Sequence, residues 1–125
     1  MPISIEVDFM MPDYMSMGSL FSMTVSSPNI DRIVEDAVHL AFKAAEHSLG
    51  ADAVRASCVE MKISGSTPAT YADMCARIKA SLMATMLGIE DGHVLVKDDF
   101  NAPELAARVA FWNSLKKRLF IIEKR

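Results

Sequence analysis

Two short stretches carry the residue types that hold anions. Ser26-Ser27-Pro28-Asn29 and Ser64-Gly65-Ser66-Thr67-Pro68 both set small hydroxyl residues beside a proline. Each falls where an alternating apolar segment gives way to helical spacing, so each reads as a strand-to-helix turn. A helix N-terminus leaves backbone N–H groups unpaired, and the helix dipole favours negative charge there. In a parallel α/β sheet both turns would lie at the carboxyl edge of the strands, where ligands usually bind. Ser27, Asn29, Gly65, Ser66 and Thr67 are therefore candidate binding residues for an anionic small molecule. The same residue types cap helices with no ligand at all, which is the simpler reading. No G-x-G-x-x-G and no P-loop pattern is present, so a full phosphate loop is not expected.

The remaining reactive side chains point to little. His39 and His47 fall on the polar side of one helical stretch, on the order of 12 Å apart, too far to share a metal. His93 lies among Glu90, Asp91, Asp98 and Asp99, an acidic patch that lacks the EF-hand spacing and reads as a solvated loop. Cys58 and Cys75 have no close spacing and read as reduced core residues. There is no G-x-S-x-G elbow. No metal site and no cofactor is expected.

Pro2 leads directly into the strand pattern Ile3-Ser4-Ile5. Removal of Met1 would expose a secondary amine, and an α-amino group has a reference pKa of about 7.7–8.0. Apolar surroundings would lower it further and make a general base usable near neutral pH. With its Met1-Pro2 start and β-α-β plan, the chain resembles the tautomerase superfamily. The second half is similar in the helix from Tyr71 to Leu87, in Leu87-Gly88-Ile89 and Val94-Leu95-Val96, and in Asp99-Phe100-Asn101-Ala102 and Trp112-Asn113-Ser114. The resemblance implies a trimeric enzyme with Pro2 as catalytic base for keto–enol chemistry on a small keto acid.

The elements that must position these groups are legible in outline. Ile3, Ile5, Val7 and Phe9 alternate with polar residues as a first strand, and Phe21, Met23 and Val25 as a second. A broad apolar stripe from Ile30 to Leu49, closed by Gly50, predicts the first helix. Ala53–Ser64 reads as a central strand whose apolar parity changes near Cys58 and Val59. Burial on both faces accounts for that change better than a bulge. A second helix follows Thr67-Pro68 and runs to Leu87, then a short strand Val94–Val96, then a third helix capped by Asp98, Asp99 or Asn101 with Pro103 in its first turn. Residues 118–123 fit either more helix or a last strand, and the run Leu119-Phe120-Ile121-Ile122 favours the strand. The order β-β-α-β-α-β-α, with an optional last β, describes one small α/β domain over residues 1–125. It implies a four- to five-stranded sheet with three helices, and a ferredoxin-like two-layer sandwich is the competing arrangement.

Composition narrows the function classes. Hydrophobic residues make up 51% of the 125 and charged residues 23%, which fits an ordinary globular domain. A net charge of −3 argues against general nucleic-acid binding. No apolar run approaches a membrane span and no export signal is visible, so a cytoplasmic protein is expected. Ten methionines are unusual, and Met10, Met11, Met15 and Met17 cluster in one loop, where they serve either a core or an adaptable partner-binding surface. A small sheet has open edges, so a homo-oligomer is expected, and a trimer is among the forms considered. The leading reading is an oligomeric binding or assembly protein with no assignable reaction. A proline-based isomerase and an anionic-metabolite binder are the alternatives.

Overall fold

The computed structural model describes residues 2–10, 21–84, 94–96 and 118–124, together with Pro103, Ala106, Ala107 and Ala110. The elements are β1 (Ile3–Met10), β2 (Phe21–Ser27), α1 (Ile30–Leu49), α2 (Ala51–Ala56), β3 (Cys58–Ser64), α3 (Pro68–Ala84), β4 (Val94–Val96) and β5 (Leu119–Lys124). Pro103, Ala106, Ala107 and Ala110 are helical, and the rest of the expected third helix lies outside the described residues.

The strands form one five-stranded sheet in the order β2-β1-β3-β5-β4. β1 runs antiparallel to both neighbours, while β5 runs parallel to β3 and β4. This mixed pairing separates the fold from a ferredoxin-like sandwich, whose sheet is antiparallel throughout. The 119–124 segment is a strand, because its four large apolar residues fill a position between two other strands and are buried on both faces.

Strand alternation sorts the side chains. Ile3, Ile5, Val7 and Phe9 share a face with Val59, Met61, Ile63, Leu119 and Ile121, and α1 and α3 cover it. Phe9 anchors this layer edge-on against Phe42 of α1, with ring centroids 4.9 Å apart. The Tyr71 hydroxyl of α3 donates to the Ile121 carbonyl at 3.2 Å, which fixes α3 over β5.

One expectation needs correction. Residues 53–56 are not strand: Ala51–Ala56 forms α2, and β3 begins only at Cys58. Gly50, at φ +94°, ends α1 and lets the chain restart as helix. The Ser57 hydroxyl then donates to the Val54 carbonyl and closes the turn. Burial on both faces holds for β3 itself, where Cys58, Val59, Glu60 and Met61 are all enclosed.

Candidate binding end of the sheet

β2, β3, β4 and β5 all end at the same margin of the sheet where β1 begins. Ile3 pairs with Ser27, Ser4 with Ser64, and Ser64 with Lys124. The two candidate turns thus flank the chain start, and α1 and α3 both open at this margin. Pro2 is exposed there. Its carbonyl oxygen lies against Gly65, whose φ of +81° places it in the region that favours glycine.

Most of the candidate side chains are engaged in capping. Asn29 Oδ1 accepts from the Arg32 N–H at 3.2 Å, and Ser27 Oγ accepts from the Asn29 N–H at 3.2 Å. Thr67 Oγ1 accepts from the Thr70 N–H at 3.2 Å and donates to the Thr70 hydroxyl at 2.9 Å. Ser66 differs: its hydroxyl oxygen is enclosed and has no hydrogen-bond partner among the described residues. A hydroxyl buried this way costs about 1–3 kcal/mol relative to a satisfied one.

The loop methionines divide. Met10 closes β1, is 5% exposed and packs with Cys58 and Phe120, so it serves the core rather than a contact surface. Met11, Met15 and Met17 lie outside the described residues, as do His93 and its acidic neighbours. His39 and His47 are exposed on α1, and both cysteines are buried thiols outside any disulfide. Burial pushes the Cys75 thiol up, which makes it a poor nucleophile.

A second constellation was not anticipated. On the sheet face opposite α1 and α3, Lys62 Nζ reaches Asp8 Oδ2 at 3.1 Å, Glu60 Oε1 at 3.5 Å and Glu6 Oε1 at 3.8 Å. Asp8 and Glu60 are directly opposite in the β1–β3 register, as are Glu6 and Lys62. Burial alone would lower the Lys62 pKa, but attraction to Asp8, then Glu60 and Glu6, outweighs it and holds it above the usual lysine range. Lys62 is therefore an ammonium that joins β1 to β3, not a general base. Among the described residues no group of three His, Cys, Asp or Glu is placed to hold a metal ion. The sequence signal was charge at matching parity on two strands, but only the register shows that these positions meet.

A buried trio lies on the helical face. The Tyr71 hydroxyl and Cys75 thiol, one turn apart on α3, sit near Glu123 of β5. Burial foremost, with Cys75 and Glu123 adding to it, raises the Tyr71 pKa well beyond its usual range.

No described helix is long and apolar enough to cross a membrane. Compared with family models, curated proteins and solved structures, the chain matches none.

Proposed function

We propose that the protein is a small self-assembling binding protein that takes an anionic small molecule between the N-termini of α1 and α3. The Ser66 hydroxyl carries this reading. It is enclosed, without a partner among the described residues and next to a helix start, whereas Ser27, Asn29 and Thr67 are already used as caps. An acceptor oxygen on a ligand would satisfy it, with the helix dipoles and Lys124 supplying positive potential at the same margin. Calorimetric titration with inorganic phosphate, pyrophosphate and a short dicarboxylate tests the reading. At least one should bind with a Kd below about 1 mM, and Ser66→Asp should weaken it by about tenfold or more. No saturable binding by any of the three would end the proposal.

A second reading uses Pro2. Its exposure beside the same turns supports the isomerase that the tautomerase resemblance implies. Pro2→Ala should then abolish tautomerisation of a simple keto acid by protein lacking Met1. Activity that survives the substitution would remove Pro2 as a base.

A further inference from the structure

We propose that the outer edge of β2 pairs antiparallel with β2 of a second copy, making a two-fold dimer with one continuous ten-stranded sheet. β2 is an outermost strand, and among the described residues only β1 pairs with it. It is paired with β1 without a bulge from Phe21 to Ser27 and contains no charged residue and no proline. Edge strands that stay free are usually blunted by lysines, prolines, bulges or short length, and β2 has none of these.

The strand is also self-complementary. A two-fold axis perpendicular to the sheet and passing midway between the two Thr24 residues sets Met23 against Val25 and Ser22 against Ser26 of the second copy. On the helical face Met23 meets Val25 at the centre and Phe21 meets Ser27 at each end, hydroxyls meet hydroxyls on the other face, and no like charges oppose.

Helix α1 gives an independent argument. It packs over β2 and β1, so its axis lies about half a strand spacing inside the β2 edge. Two such offsets plus one spacing across the new pair put the two α1 axes about 10 Å apart, a normal helix-packing distance. The ion pair of Asp31 with Arg77 marks the α1 flank that faces α3. Leu40 is nine residues further on, which at 100° per residue places it on the opposite flank, toward the β2 edge. Leu40 is 50% exposed, and among the described residues no other large apolar side chain is exposed. Going back from the β2–α1 turn, Thr24 lies about 10 Å along the strand and Leu40 about 15 Å along the helix, so each Leu40 lies about 5 Å from the axis and faces the α1 helix of the second copy rather than the other Leu40.

Sedimentation equilibrium of the full chain, taken to about 100 μM, tests the proposal. The wild type should be a dimer. Thr24→Lys opposes two lysines across the axis, Leu40→Glu puts charge between the helices, and each should raise the dimer Kd by about tenfold or more. Circular dichroism should show both variants folded, and Leu40→Glu, on an exposed helix surface, carries the test alone if Thr24→Lys unfolds. A monomeric wild type, a trimer, or a dimer insensitive to Leu40→Glu would overturn the assignment.

Discussion

The carbonyl oxygen of Pro2 occupies the space that any side chain on Gly65 would need: a Cβ there would sit 2.9 Å from it. The start of β1 is therefore held under the turn that launches α3. The contact is between two backbones, so it cannot be relieved by a side chain swinging away.

Gly65→Ala should destabilise the fold by about 2 kcal/mol, from positive-φ strain plus the clash with Pro2. Gly50 is the control, because it also has a positive φ but a Cβ there meets nothing within 4 Å. Gly50→Ala should cost about 1 kcal/mol. Urea denaturation of the two variants measures the difference, and equal losses would mean the Pro2 contact contributes nothing.

Lys62→Met should cost about 3 kcal/mol, because it leaves the enclosed Asp8 carboxylate without the ammonium that pairs with it. Adding Asp8→Asn to it should recover part of that loss. A double-mutant cycle by chemical denaturation reads the coupling, and strict additivity would show that the two groups do not interact.

Tyr71→Phe should cost about 1 kcal/mol through the lost hydrogen bond to the Ile121 carbonyl. Thermal melts at neutral pH provide the check. A variant more stable than the wild type would mean that burying the hydroxyl outweighs its bond.

Alkaline pH should unfold the protein early. Cys75, Tyr71 and Lys62 all have folded pKa values raised above their ordinary ones. The native state then keeps protons that the unfolded chain releases. Stability is full below about pH 8.5 and falls as pH rises, by at most about 1.4 kcal/mol per pH unit for each group. Urea midpoints between neutral and alkaline pH should decline, and less steeply in Tyr71→Phe. A flat profile would contradict these raised values.

Much of this architecture was readable from local chemistry. Asn29 and Thr67 were recognisable as caps because the capping residue, the proline or acidic first turn and the apolar stripe lie together in sequence. Residues 53–56 misled because a few apolar residues suit one helical turn as well as a strand. The Glu6, Asp8, Glu60 and Lys62 cluster stayed hidden because it depends on register across 54 residues of chain, which no local pattern encodes. The enclosed hydroxyl of Ser66 was equally invisible, since its neighbours Ser64 and Thr67 offer the same chemistry by type.

The strand order also sets a sequence of events in folding. β1 and β2 can meet early as a hairpin, but an isolated hairpin is marginal in water. The far edge of β1 stays open until Cys58–Ser64 has been made, and the far edge of β3 until Leu119–Lys124 arrives. The middle of the sheet is thus completed by the last strand in the sequence, and its apolar edges remain unsatisfied until then. Such non-local pairing slows folding and extends the time during which a nascent chain can aggregate.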